Sequence, residues 1–275
     1  MSAITVLHAL RDRLVPSARM PVVFLGHGSP MNAVEDTEYS RAWTALGQSL
    51  PEPSAILVVS AHWMTRGTTL VDVSALPKTI HDFYGFPDAL YAMDYPAPGN
   101  PGLAREVVSL LASHHAAEDD TWGLDHGAWT VLRFLYPQAK VPVFQVSIDM
   151  GRGLEHQLEV GRTLAQLRDR GVLILGSGNV VHNLRAMRFG GQPQDFALEF
   201  DRLFAEKLEA RDLKPLADAA GMGTLLRMAH PTVDHYMPAL TIAGASDSKD
   251  QLTFMTDAID LGSVSMRSFV FHQEG

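Results

Sequence analysis

The chain has 275 residues, 46% of them hydrophobic, enough to bury a sizeable core in one large domain. Its 31 acidic residues against 22 basic ones give a net charge of −9, which repels phosphate backbones and argues against nucleic acid as the main partner. Cysteine is absent, which excludes disulfides, thiolate metal sites and a cysteine nucleophile, and no apolar run approaches the roughly 18 residues that a membrane span needs.

The stretch Met1–Met20 carries a short apolar patch, Ile4–Leu10, followed by Arg11, Asp12 and Arg13. It lacks the charged start and small-residue cleavage site of a secretory signal, so residues 1–19 are expected to be an extension of a cytoplasmic protein. Val22–Leu25 predicts a strand that runs into Gly26-His27-Gly28-Ser29-Pro30, where the glycines beside His27 permit a sharp turn and close approach to a ligand. Residues 36–49 predict a helix with Trp43, Leu46 and Leu50 on one face. The run Ala55–Val59 is a second strand, ending at Ser60-Ala61-His62-Trp63. The segment Ile80-His81-Asp82-Phe83-Tyr84-Gly85-Phe86-Pro87 is too irregular for a strand and too apolar for a solvated loop, as befits a lid or pocket wall.

A helix is expected from Pro101, with Leu103, Val107, Leu110 and Leu111 at helical spacing, and another opens at Asp125-His126-Gly127 and stops at Pro137. Val141–Ile148 predicts a strand. Leu154, Leu158, Leu164 and Leu167 mark an amphipathic helix closed by Arg170-Gly171. A third histidine-bearing strand, Val172-Leu173-Ile174-Leu175, continues into Gly176-Ser177-Gly178-Asn179-Val180-Val181-His182. Residues 196–210 read as a helix, Asp234-His235 as the head of another running towards Gly244, and Ser263–Phe271 as a late strand at a sheet edge. Apolar runs bounded by glycine read as strands buried on both faces. The fold class expected is therefore α/β: one domain over residues 1–275, with a mostly parallel central sheet flanked by helices.

His27, His62 and His182 each follow such a strand. Ligands of open α/β sheets collect beyond the carboxyl ends of the strands, so three imidazoles delivered to that edge point to a mononuclear metal site. Neutral imidazole suits zinc, iron, copper and nickel, and suits magnesium and calcium poorly. The separations match no local metal motif, and each histidine taken singly reads more readily as a satisfied structural residue than as a ligand. His126 sits at a helix start, where the dipole favours a neutral, proton-accepting ring; the alternative is a capping or packing histidine between Trp122 and Trp129. His235 is a fourth ligand or an acid/base, with Asp234 equally readable as a helix N-cap. His81 with Asp82 binds substrate or caps a turn. Phe83, Tyr84, Phe86 and Trp63 either wall an aromatic-sized pocket or pack the core. His8, His114, His115, His156 and His272 receive no role. The glycines near His27 and Ser177 form neither a Walker nor a Rossmann fingerprint, and there is no Gly-x-Ser-x-Gly elbow of a serine hydrolase.

Taken together and in this order, Gly26-His27-Gly28-Ser29-Pro30, Ser60-Ala61-His62-Trp63, the Ile80-to-Pro87 segment, Trp122-Gly123-Leu124-Asp125-His126-Gly127 and Gly178-Asn179-Val180-Val181-His182-Asn183 resemble one group. That group is the class III extradiol ring-cleavage dioxygenases, specifically the 4,5-DOPA extradiol dioxygenase branch. The resemblance runs from about Met20 to the last strand. It implies a single α/β domain with one non-haem metal, Fe(II) in active members, that opens a catechol ring with O2 to a muconic semialdehyde-type product. It implies His27 and His62 as metal ligands, and His182 as ligand or immediate neighbour. Related ring-cleaving enzymes complete the site with a glutamate, where this chain offers His235. The split of ligand and acid/base duty between His182 and His235 stays open, with His126 a further proton carrier and His81 and Trp63 substrate contacts. An all-nitrogen set also admits Zn(II). Two rivals remain at this level: a zinc hydrolase using the same histidines, and a non-catalytic binding protein of the same fold.

Overall fold

A computed structural model describes residues 19–273. The patch Ile4–Leu10 and His8 lie outside the described residues. The central sheet has six strands: β1 (Val22–Gly26), β2 (Ala55–Ser60), β3 (Val143–Gln145), β4 (Val172–Gly178), β5 (Gln251–Thr256) and β6 (Ser268–His272). Their spatial order is β3-β2-β4-β1-β6-β5. The first four in that order run parallel, and β6 and β5 join antiparallel at one side. The sheet is thus mixed, with its parallel part as expected.

The longer helices are α1 (Glu38–Ser49), α2 (Pro101–Leu110), α3 (His126–Leu135), α4 (Leu154–Leu164), α5 (Asp195–Glu209), α6 (Ala219–Ala229) and α7 (Met237–Ala245). Because side chains alternate across a strand, Val22, Phe24, Ala55, Leu57 and Val59 enter one core with α2, α4, α5 and α7. Val23, Leu25, Ile56 and Val58 enter the other, with Trp43 and Leu46 of α1 and Trp129 and Leu132 of α3. Each fully buried side chain of this kind contributes about 1.5–3 kcal/mol. The first helix is started by a capping box between Thr37 and Ser40. All nine residues of α7 are buried, which explains why it is apolar all round: it lies between β4 and α4.

Three expectations differ in detail. The run 141–148 is broken after β3, where the Ser147 hydroxyl accepts the Leu70 N–H at 2.7 Å and Ile148–Asp149 pairs instead with Met64–Thr65. A polar residue inside the apolar run diverts the chain off the main sheet. The run 263–271 is also divided, into Val264–Ser265 and β6, with a bend at Met266-Arg267 held by the Arg267 N–H on Ser265 Oγ at 3.1 Å. Moreover β6 is interior, and the edge belongs to β5, whose alternating Gln251-Leu252-Thr253-Phe254 went unassigned. Finally, α7 starts at Met237 next to Pro238, and Asp234 is not its cap.

Candidate active site and metal centre

The carboxyl end of β4 gathers the site. The His27 N–H donates to Gly178 O at 3.0 Å, the Ala61 N–H to Ser177 O at 2.9 Å, and the Asn179 N–H to His235 O at 2.9 Å. Three segments far apart in sequence are thereby hydrogen-bonded to one strand end. His27, His62 and His235 each bring a ring nitrogen to a cluster in which these atoms lie within 4.8 Å of one another. His27 and His235 are buried, and His62 is partly so.

The hydrogen-bond partners fix which nitrogen faces inward. Ser177 Oγ donates to Gly127 O at 2.5 Å, so towards His27 Nδ1, 3.0 Å away, it acts as acceptor. His235 Nδ1 lies 2.5 Å from Asp234 Oδ2, and His62 Nδ1 lies 3.3 Å from Asp82 Oδ2. A carboxylate only accepts, so His27 and His235 carry their proton on Nδ1 and leave Nε2 as a lone pair, and the charge of Asp82 beside Nδ1 of His62 favours the same arrangement there. Nε2 of His27 and Nε2 of His62 are 3.2 Å apart. Two lone pairs opposed at that distance in a buried place call for a cation between them, and an outer acceptor on each ring is the usual support of a metal-ligating imidazole. The donor set therefore fits one divalent metal ion.

Burial, followed by mutual repulsion of the rings, holds His27 and His235 well below the ordinary imidazole pKa of 6.5. Burial and then the charge of His126 bring His62 down to about 4. Neutral rings are what a metal needs as ligands. Asp82 also faces His126: its Oδ2 is 3.0 Å from His126 Nδ1, and its Oδ1 accepts the His126 backbone N–H at 2.8 Å. Burial opposes ionisation of Asp82, but its hydrogen bond to His126 and the charges of His126 and His62 outweigh that and lower its pKa to about 2. His126 opens α3 behind the N-cap Asp125, whose carboxylate accepts from Ala128 N, Ser60 Oγ, Trp122 Nε1 and Gln145 Nε2. Gly127 follows because a Cβ there would stand 2.8 Å from His62 Cδ2 and 2.5 Å from Ser60 Oγ.

Residues 21–269 match the family described as the catalytic LigB subunit of aromatic ring-opening dioxygenase. This chain belongs to the LigB family of extradiol dioxygenases. It is 46% identical over 268 residues to a 4,5-DOPA dioxygenase extradiol of Escherichia coli K12, covering 94% of this chain and 97% of that one. It is 34% identical to a 4,5-DOPA dioxygenase extradiol of Beta vulgaris, covering 90% and 95% respectively. The crystal structure of an uncharacterised Escherichia coli K12 protein superposes with a TM-score of 0.81 at 41% identity, covering 92% of this chain and all of the other.

In this dioxygenase His182, expected beside His27 and His62, stands one place further out. Its donor atom groups with Asp234 and His235, and its ring stacks on His235 with centroids 3.5 Å apart and planes 7° apart. The reason is backbone pairing: Val180-Val181-His182 leaves the sheet, and the His182 N–H donates to Ala229 O at 3.0 Å. His235 takes the place beside His27 and His62. Burial lowers the His182 pKa to about 4, with Asp234 opposing.

His81 turns away from the cluster: its Nε2 meets Met93 O at 2.9 Å and its ring packs against Trp129. Trp63 is 3% exposed and stacks on Trp122 at 5.7 Å, so packing occupies both rings that were expected to touch substrate. Phe83 does reach the site, edge-on to His126 at 5.5 Å, with Phe86 and Tyr91 packed on it. Among the described residues, no helix is long and apolar enough to cross a membrane. Sequence reasoning missed Ser177 as the partner of His27, and read Asp82 with His81 as a substrate or turn residue where the structure sets it against His62 and His126. The only signals were a serine between glycines and an acid ahead of an aromatic run.

Proposed function

We propose that this enzyme opens the ring of a DOPA-like catechol next to its diol, using O2 and Fe(II) held by His27, His62 and His235, and releases a muconic semialdehyde-type product. The observation that carries this reading is the convergence of three imidazoles, each with an oxygen acceptor within 3.3 Å behind its Nδ1 atom. Such an ion supplies Lewis acidity towards the phenolic hydroxyls and a redox path between ring and dioxygen. The rest is done by the protein. His182, neutral at pH 7 and stacked on the outer side of His235, accepts a proton from the catechol at its free ring nitrogen. His126, with Nδ1 towards Asp82, offers Nε2 for a second proton transfer. Phe83, Phe86 and Tyr91 form an aromatic wall beside His126 suited to a flat ring.

The test is to load the protein anaerobically with Fe(II), add L-DOPA or another catechol, and admit air. Oxygen uptake matched to a new yellow product is the expected result. No uptake across a catechol panel overturns the reading. Zn(II) binds an all-nitrogen site well, so hydrolysis by the zinc-loaded protein under those conditions would favour the hydrolase instead.

A further inference from the structure

Asp82 stands between two imidazoles with different duties. Its Oδ2 is 3.3 Å from Nδ1 of His62 and 3.0 Å from Nδ1 of His126, while its Oδ1 accepts the His126 backbone N–H at 2.8 Å. The two rings lie with centroids 3.9 Å apart. The carboxylate is fixed there by its own loop: the Ile80 N–H donates to Leu124 O at 2.7 Å, the Leu124 N–H to Lys78 O at 2.8 Å, and Trp129 Nε1 to Ile80 O at 2.9 Å. Asp82 is an exposed residue, but its side chain is only 18% exposed and is turned in towards the two rings.

We infer that Asp82 is a positioning residue that sets the tautomer of His62 and His126 together, so that both present an unprotonated Nε2 to the site. An ionised carboxylate has acceptors only; this one accepts the His126 backbone N–H, and its charge lies 3.0 Å from Nδ1 of His126 and 3.3 Å from Nδ1 of His62, which favours the proton on the near nitrogen of each ring. The amide of asparagine has the same shape but cannot replace it. If its oxygen keeps the His126 backbone N–H, its NH2 faces the two rings, which must then accept at Nδ1 and carry their protons on Nε2. If the oxygen turns to the rings, the NH2 abuts the backbone N–H. A single carboxylate thus couples the histidine read as a metal ligand to the one read as a proton carrier. The tautomer claim stands on geometry alone; its consequence for metal affinity rests on the proposed role of His62.

The experiment is long-range 1H–15N spectroscopy of the chelator-treated, 15N-labelled protein at about pH 8.5, above the ordinary imidazole range. Resonances are assigned with His62→Gln and His126→Gln, and zinc affinity is measured in parallel by chelator competition. The expected result is Nδ1–H at both rings in the wild type. In Asp82→Asn, His62 and His126 both move to Nε2–H and zinc affinity falls roughly ten- to a hundred-fold, with partial recovery in Asp82→Glu. An Nε2–H tautomer at either ring of the wild type overturns the inference whether or not the variant folds. Unchanged zinc affinity and unchanged tautomers in folded Asp82→Asn overturn it too, while leaving the metal site standing. Nδ1–H at both rings in a wild type that binds no zinc supports the positioning role and sinks the metal assignment instead.

Discussion

Ring orientation is the residue-scale fact from which the chemistry follows. Each of His27, His62 and His235 turns its outer nitrogen to a different acceptor: a serine hydroxyl at 3.0 Å that is relayed to Gly127 O, the Asp82 carboxylate at 3.3 Å, and the adjacent Asp234 at 2.5 Å. A ligand and a proton carrier differ in what their loss does. His62→Ala or His27→Ala should abolish metal loading, read by elemental analysis after dialysis; stoichiometric metal in either variant removes that residue from the ligand set. His126→Ala should keep the metal and lose about a hundred- to ten-thousand-fold in ring-opening rate. Loss of metal in that variant would make His126 a ligand. Tautomers are invisible in an amino-acid string. His27 and His62 could be singled out from their strand-end glycines and small residues, but the atoms behind them could not.

At the scale of elements, α7 depends on a close approach rather than on amphipathicity. A Cβ on Gly161 of α4 would stand 2.0 Å from Thr241 O, and one on Gly244 of α7 would stand 2.2 Å from Leu158 O. Each helix offers a glycine to the backbone of the other, and α7 begins two residues after His235. Gly161→Val should cost about 1–3 kcal/mol in urea unfolding by forcing the helices apart. Gly102→Ala in α2, where a Cβ meets only Asn100 Oδ1 at 3.8 Å, is the control and should be neutral or slightly stabilising. Equal stability of the two variants would show that α4 and α7 can separate freely. The sequence displays the apolar character of α7 and the strand run of β4. It hides the breaks at Ser147 and Met266-Arg267, because both depend on hydrogen bonds to partners elsewhere in the chain: Ser147 with Leu70, and the Met266 N–H with Ala258 O.

The whole molecule carries several imidazoles that it keeps uncharged. Burial lowers His62 and His182 to about 4 and His230, set against Phe200 and Tyr236, to about 3, all from 6.5. Above about pH 7.5 hardly any ring binds a proton in either state, and these histidines leave stability flat. Between there and pH 4 the unfolded chain binds protons that the folded one refuses, so stability falls as acid is added. Asp250 acts in the same direction lower down. Burial disfavours its charge, but the buried pairing with Arg168 at 2.6 Å wins and lowers its pKa below 3.8, so its contribution is lost as the pH falls through that region. Urea unfolding of the chelated protein from pH 8 to 4 should show a plateau and then a steady decline. A level profile to pH 4 would mean that these rings are not shielded in the folded state.

From residues alone, the glycine-bounded apolar runs establish an α/β sheet with histidines at its strand ends, and the ordered motifs identify the ring-opening dioxygenase family. Those features are local: they need only alternation, turn chemistry and neighbours a few positions away. The choice of His235 over His182 beside His27 and His62, and the discovery that Asp82 rather than His81 faces the imidazoles, came from three dimensions. They hinge on contacts such as His27 with Ser177, 150 positions apart. Which backbone comes within hydrogen-bonding reach of which ring is decided by the packing of both cores against the sheet.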